Sequence, residues 1–254
     1  MSHTALRRVM IRLLHDPTFA SALYADPDHA LRGVDVTARE RGWLAATPPA
    51  AWRTDPARPL RVLAALVEEY PLTTELAPER ASGFFAAPEF HAAVQARGSL
   101  ALAFGAYLGR DASDRRVRAL AALERAVAAI RRTRERTKRM PSGMRLRLVP
   151  HARVLRLPSG TLELAAELRA GGGGGSLGDG DEAALILRAP DGDVTLETLE
   201  PELATLLERA EAGATRDDLR TCALLAGAEP GEDEEIVDRL ISDGLLVGAD
   251  DFGR

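Results

Sequence analysis

The sequence has one cysteine, Cys222, among its 254 residues. A single cysteine can form no internal disulfide and no cysteine-based metal cluster. We therefore predict a reducing, cytoplasmic location. No apolar run approaches the roughly 20 residues of a transmembrane helix. The first 14 residues alternate polar and apolar side chains and lack the apolar core and cleavage site of a signal peptide.

Aromatic residues are also scarce. They form 4% of the chain although 46% of it is apolar, because alanine supplies much of the apolar share. This composition favours helices over a large β-sandwich. The length is sufficient for two domains of ordinary size, each with its own core.

The second half of the chain has far fewer basic than acidic residues. Residues 1–144 hold 22 Lys and Arg against 15 Asp and Glu, a charge of +7, whereas residues 145–254 hold 11 against 23, a charge of −12. Neutralising the phosphates of a nucleic acid requires clustered Lys and Arg. The C-terminal half is therefore a poor candidate for binding DNA or RNA.

Motifs for self-contained catalysis are absent from the sequence. None of the histidines is spaced as a metal-binding pair on one helix face: His3, His15, His29, His91 and His151. Neither a nucleophile elbow nor a dinucleotide fingerprint follows a predicted strand. The glycine run at 171–175 lacks the lysine of a phosphate loop and indicates a flexible segment instead. We therefore predict no catalytic residue and no metal ligand in this chain.

Local signals in the first half predict helices. Asp16-Pro17 and Asp26-Pro27 combine a capping side chain with proline at the first helical position. The segment Thr37–Glu40 fits a capping box. Three helical segments follow over residues 60–109, and the first is expected to bury a stripe formed by Leu60, Leu63, Ala64 and Val67. A core cluster is expected from Phe84, Phe85 and Phe90.

A long helix over 113–139 ends in a strongly basic stretch, and Met140–Gly143 then breaks the helical pattern. The domain boundary is placed there. This gives a helical domain over residues 1–140 and a second domain over residues 145–254.

The second domain mixes strands and helices. Residues 145–157 alternate as a strand interrupted at Pro150, and 161–170 favour a helix. Two strands at 183–188 and 193–198 flank the turn signal Asp191-Gly192, and three helices and a strand at 245–247 follow. Strand, strand, three helices and strand is the order of a winged-helix domain. The predicted fold is mainly α, with a helical N-terminal domain followed by an α+β winged-helix-like domain.

Two stretches resemble known families. Tyr70-Pro71, Phe84-Phe85, the 100–108 segment with Gly105 and Leu108, and Leu120–Ala126 resemble the helical N-terminal domain of partner proteins of multinuclear non-heme iron-dependent oxidative enzymes (MNIO enzymes). These enzymes modify ribosomally synthesised peptides (RiPPs), often at cysteine. Residues 145–247 are similar to the winged-helix-like RiPP recognition element (RRE) of such systems. The glycine-rich insertion at 171–175 departs from that pattern.

The resemblance implies a non-catalytic subunit in natural product biosynthesis. Such a subunit binds the leader of a precursor peptide and forms a heterodimer with the MNIO enzyme. Iron is then expected in the partner enzyme, and this chain is expected to bind no cofactor. The helical domain would dock on the enzyme and so raise the effective concentration of the tethered peptide at its metal site.

The same resemblance implies a binding mode in which the leader adds as a strand to the exposed edge of strand 193–198. The expected peptide-binding residues are Asp193, Val194, Thr195, Leu196, Glu197 and Thr198 on the strand and Ile236, Arg239 and Leu240 on the last helix. An ordinary core role for the four apolar residues in this set stays open. The acidic groove predicts a leader that carries some basic residues.

Two other functions remain open at this point. Asp16–Phe19 and Asp26–Leu31 also resemble the small helical subunit of extradiol ring-cleavage dioxygenases. That function leaves the C-terminal module unexplained. A winged-helix transcription regulator fits the order of elements, but the charge of −12 in residues 145–254 opposes it.

Overall fold

The computed structural model describes residues 3–52, 55, 57–133, 145–173 and 175–248. Helices form 61% of the structure, and the remainder includes two small antiparallel sheets, so the fold is mainly α with an α+β part. The chain divides into two compact units, residues 1–121 and 122–254, and the division falls within one long helix. The predicted break at Met140–Gly143 and the basic stretch before it lie outside the described residues, so that boundary stays a prediction.

Unit 1 is helical throughout its described part. Its elements are α1 (His3–His15), α2 (Pro17–Ala25), α3 (Pro27–Ala30), α4 (Ala38–Ala46), α5 (Pro49–Trp52), α6 (Arg58–Glu69), α7 (Pro71–Leu76), α8 (Pro78–Ala81), a 3-10 turn (Phe84–Ala86), α9 (Pro88–Ala96) and α10 (Leu100–Gly109). Helix α11 (Arg115–Arg132) begins in this unit and continues into the next.

The predicted helix starts are confirmed. The Asp16 carboxylate accepts a hydrogen bond from the Phe19 N–H at 2.9 Å, so it caps α2. Asp26 caps α3 in the same way. Thr37 and Glu40 form the reciprocal capping box of α4. Each cap satisfies a backbone donor that the first helical turn leaves without a partner.

The aromatic cluster of unit 1 is buried as predicted. Phe84 lies at its centre, with ring centroids 5.4 Å from Phe90 and 5.1 Å from Phe104. The predicted inward face of α6 is only partly correct. Leu63 and Val67 are half-buried, but Leu60 is 69% exposed. Ala64 is also exposed, and the buried position of this helix is Leu66. The side on which α6 packs is therefore rotated from the apolar stripe that the periodicity predicted.

Unit 2 contains both sheets. Its elements after α11 are β1 (Arg145–Leu148), β2 (Ala152–Pro158), α12 (Thr161–Arg169), β3 (Asp181–Arg188), β4 (Val194–Leu199), α13 (Pro201–Glu211), β5 (Ala214–Thr215), α14 (Arg216–Leu225), α15 (Glu232–Ser242) and β6 (Leu246–Gly248). From β3 to β6 this is the predicted order, with the two-residue strand β5 as an addition. The interruption between β1 and β2 and the helix at α12 are also as predicted.

The sheets have the strand orders β2-β3-β4 and β5-β1-β6, and all pairs are antiparallel. Strand β3 is central in its sheet, and its residues 183–186 are buried on both faces. Leu185 belongs to the main core with Leu206 and Leu207 of α13. Ile186 faces the other way and packs with Ile130 of α11. The two covered faces explain why this strand is an uninterrupted apolar run.

Within the described ranges, no helix is both long enough and apolar enough to cross a membrane.

Candidate functional site

Strand β4 is an edge strand. In the described part of the chain it pairs with β3 on one side and with no strand on the other. The turn before it is tight: Gly192 has φ +97°, and the Ala189 N–H donates to the Asp193 carbonyl at 2.8 Å. Glycine reaches this positive φ without strain, so the turn sets the register of the β3–β4 pair.

The register decides which backbone groups of β4 point outward. Hydrogen-bonded and non-hydrogen-bonded pairs alternate along an antiparallel ladder. The bond from Ala189 to Asp193 therefore assigns the backbone groups of Thr195 and Glu197 to β3. The outward groups belong to the alternate residues, Val194, Leu196 and Thr198. Among the described residues, no other group hydrogen-bonds to those three.

The opposite edge of the same sheet is different. The Val154 N–H of β2 donates to the Glu211 carboxylate of α13 at 2.9 Å. Nearby, the Arg156 guanidinium pairs with Glu208 at 2.7 Å. Helix α13 thus occupies the β2 edge with side chains, whereas the β4 edge keeps its backbone groups available to an added strand.

A groove of about 580 Å³ lies beside β4, bounded by β3, β4, α13, the end of α14, and α15. Its floor is apolar and contains Leu185, Leu199, Leu203, Leu206, Leu207, Ile236 and Leu240. Its charged lining consists of six carboxylates and one guanidinium, from Glu197, Glu200, Glu202, Glu232, Glu235, Asp243 and Arg239. The groove therefore combines an apolar floor with a net charge of −5.

The two faces of β4 have different environments. Glu197 lies directly opposite Leu185, and both line the groove. Thr195 is two residues away and shares that face. Val194 and Leu196 face the other side, where they are half-buried against the cluster of Ile186 and its α11 neighbours. Their side chains stabilise the sheet on α11, and only their backbone groups lie at the open edge.

The predicted site residues are therefore only partly brought together. Glu197, Ile236, Arg239 and Leu240 line one groove. Leu240 is only 6% exposed and is also part of the main core.

The other predicted strand residues lie along the edge rather than in the groove. Asp193 is exposed in the turn, where its N–H donates to Asp191, and Thr195 and Thr198 are exposed. The prediction had omitted Leu199, Leu203 and Glu235 from the groove. The alternation of Thr195 and Glu197 continues to Leu199, and this signal could have extended the site.

Helix α15, which forms one wall of the groove, is held against α14 by an ion pair. The Arg220 Nε lies 2.8 Å from Asp233 Oδ2, and the Asp233 side chain is 2% exposed. The other carboxylate oxygen accepts the Gly231 N–H at 2.8 Å. The hydrogen bond from Arg220 lowers the pKa of Asp233, and the bond from Gly231 adds to this. The contacts fix the start of α15, whose later residues Ile236, Arg239 and Leu240 line the groove.

The site contains no arrangement suited to metal chemistry. Within the described residues, no group of three or more His, Cys, Asp or Glu side chains could hold a metal ion. Cys222 is half-buried on α14 and packs against the main core, as a small apolar residue does. The geometry is that of a binding surface: an open strand edge beside an apolar groove.

Comparison with protein-family models finds no family that matches the chain, and comparison with curated proteins finds no match.

Proposed function

We propose that the chain is a non-catalytic partner subunit that binds the leader of a ribosomally synthesised precursor peptide and presents it to a multinuclear non-heme iron oxidative enzyme. The observation that carries the proposal is the open β4 edge lying beside the apolar groove. Iron belongs to the partner enzyme in this proposal, and the two chains form a cytoplasmic heterodimer. The MNIO enzyme is proposed as the partner because the helical region resembles MNIO partner proteins.

The edge supports an added strand because its outward donors and acceptors are regularly spaced. A peptide strand beside β4 would hydrogen-bond to the backbone of Val194, Leu196 and Thr198. Main-chain hydrogen bonds of this kind supply affinity for any extended sequence. Alternate side chains of the peptide would then enter the groove beside Glu197, where the leucine floor accepts apolar groups.

Charge supports a preference among peptides. None of the six groove carboxylates has a cation within 4 Å among the described residues, and the Glu232 carboxylate accepts the Glu229 N–H instead. A leader with Lys or Arg next to its apolar anchors would pair with them, and such pairs add specificity and association rate. Acidic peptides would be repelled.

The same charges disfavour a DNA-binding function. In a winged-helix regulator the third helix enters the major groove, and α15 occupies that position in the element order. Helix α15 carries five carboxylates and a single arginine in the sequence EDEEIVDRLIS. Phosphate neutralisation needs the opposite balance.

A proline substitution tests the edge. Thr198→Pro removes an N–H that points away from β3, so it leaves the β3–β4 ladder intact, and an edge strand tolerates such a proline. Thr198→Val keeps the N–H and serves as the matched control. We expect Thr198→Pro to weaken leader affinity by about tenfold, the effect of losing roughly 1.4 kcal/mol of main-chain hydrogen bonding. Thr195→Pro is unsuitable, because the Thr195 backbone bonds to β3 and the substitution would disrupt the sheet.

The probe is a synthetic peptide for the leader of each short precursor encoded beside this gene, labelled for fluorescence anisotropy. Co-purification of the neighbouring iron enzyme with the tagged chain tests the second half of the proposal. Equal affinity of Thr198→Pro and Thr198→Val would exclude the β4 edge as the binding site. No binding of any neighbouring leader, together with no co-purifying iron enzyme, would exclude the function.

A further inference from the structure

A second site lies in unit 1, in a small cleft between α1 and α9. Its volume is about 130 Å³, and it is lined by Thr4, Arg7, Arg8 and Ile11 of α1 and by His91, Val94 and Gln95 of α9. Thr4, Arg8 and Ile11 are spaced four and three residues apart, so they share one face of α1. His91, Val94 and Gln95 share one face of α9 for the same reason. The two helices thus direct one polar set into a common cleft.

His91 has unused hydrogen-bonding capacity there. Both of its ring nitrogens are buried and have no partner among the described residues. A neutral imidazole carries one donor and one acceptor. Leaving such groups unsatisfied is energetically costly, and so buried polar atoms without partners are uncommon. The ring is held by an edge contact with Phe90, at a centroid distance of 5.4 Å.

The charged groups around His91 are mainly guanidinium groups. Arg7 makes no ion pair or hydrogen bond with any described residue, and Arg8 donates to the Gln95 side-chain oxygen. A guanidinium has five donors, so Arg8 keeps others available. No carboxylate lines the cleft. The carboxylate of Asp16 acts on His91 through its charge, but it is already paired with Arg12 at 3.1 Å.

We propose that this cleft binds a small oxyanion, a carboxylate or a tetrahedral anion such as sulfate. Arg7, Arg8, Thr4 and His91 would donate to its oxygens, and Ile11 and Val94 would form the apolar side of the site. Drug-sized and cofactor ligands need pockets of roughly 300 Å³ or more. The cleft is therefore too small for a nucleotide and suits a single anionic group. The site is separate from the peptide groove, since all its residues belong to unit 1.

Nuclear magnetic resonance tests the proposal through the His91 ring protons, assigned by their loss in His91→Phe. Sodium sulfate and sodium acetate are titrated separately into the full chain at constant ionic strength, with chloride as the reference salt. We expect saturable shifts of the His91 signals with a dissociation constant in the millimolar range. Comparing the two salts distinguishes a tetrahedral anion from a carboxylate, and saturation by either supports the site.

Arg7→Gln is the decisive variant, because the Arg7 guanidinium is exposed and has no polar partner among the described residues. We expect it to weaken the anion about tenfold, the effect of one charge-assisted hydrogen bond. Arg32→Gln removes an exposed arginine that does not line the cleft and should change nothing. Sulfate also stabilises proteins in general. Thermal unfolding with and without sodium sulfate separates this general effect from binding in the cleft. A sulfate-induced rise in Tm that is equal in wild type and Arg7→Gln would overturn the proposal, and so would His91 signals that respond to neither salt.

Discussion

Two glycines in unit 1 invite the same substitution with opposite expected results. Gly105 lies within α10 and Gly42 within α4. On helix propensity alone, each change to alanine should stabilise the protein by about 0.5–1 kcal/mol, because glycine loses more backbone entropy on folding. The sequence gives no reason to separate the two positions.

The surroundings of Gly105 reverse that expectation. A Cβ built on this residue would lie 2.6 Å from Cε1 and 2.7 Å from Cζ of Tyr70, far inside van der Waals contact. The Tyr70 ring is fully buried, packs edge-on against Phe104, and donates its hydroxyl to the Ala101 carbonyl at 2.8 Å. The ring can therefore move only by breaking contacts. A Cβ on Gly42 meets nothing within 4 Å.

The magnitude follows from three terms. Overpacking of a core typically costs about 1–3 kcal/mol. Loss of the Tyr70 hydroxyl bond adds about 1 kcal/mol. Helix propensity returns about 0.5–1 kcal/mol. We therefore expect Gly105→Ala to destabilise unit 1 by about 1–3 kcal/mol, and Gly42→Ala to stabilise it by up to about 1 kcal/mol.

Urea unfolding followed by tryptophan fluorescence measures both changes in the right unit. The two tryptophans of the chain are Trp43 and Trp52, so the signal reports unit 1 alone. An unchanged slope between wild type and variants would show that the midpoints can be compared. If Gly105→Ala proved neutral or stabilising, like Gly42→Ala, the close approach of Tyr70 to α10 would be refuted.

Two further predictions concern titration and the wall of the groove. Burial lowers the pKa of His15 and of His91 below the ordinary value of 6.5, and nearby arginine charge lowers it further. As the pH falls through 6.5, the unfolded chain therefore binds protons before the folded chain does, and unit 1 should lose stability until the folded pKa is reached; a urea midpoint that does not fall between neutral pH and about 5 would contradict this. Arg220→Ala leaves the buried Asp233 carboxylate without its cation, so unit 2 should unfold several degrees earlier by circular dichroism, and leader affinity should fall. Arg216→Ala removes an exposed ion pair and should change Tm little. Equal Tm values for the two variants would contradict the stabilising role of the Arg220–Asp233 ion pair.

The candidate site was only partly visible in the sequence. The alternation of residues 193–198 and the turn at Gly192 predicted the hairpin, because a period of two and a glycine with positive φ are local properties. The exposed edge of strand 193–198 was expected only from the family resemblance. No local pattern shows that the opposite edge is covered, since Glu211 reaches the Val154 N–H across 57 residues of sequence. The groove also needed the register, which brings Glu197 opposite Leu185.

By itself the sequence determined the caps, the turns, the order of elements and the charge division between the halves of the chain. These depend on side chains that act within a few residues, as in the capping box at Thr37–Glu40, or on composition alone. Only the tertiary structure decided which face of α6 is buried and why α10 requires Gly105. It also decided which backbone groups of β4 remain available. Those outcomes depend on surfaces contributed by residues far apart in the chain, and no local pattern contains that information.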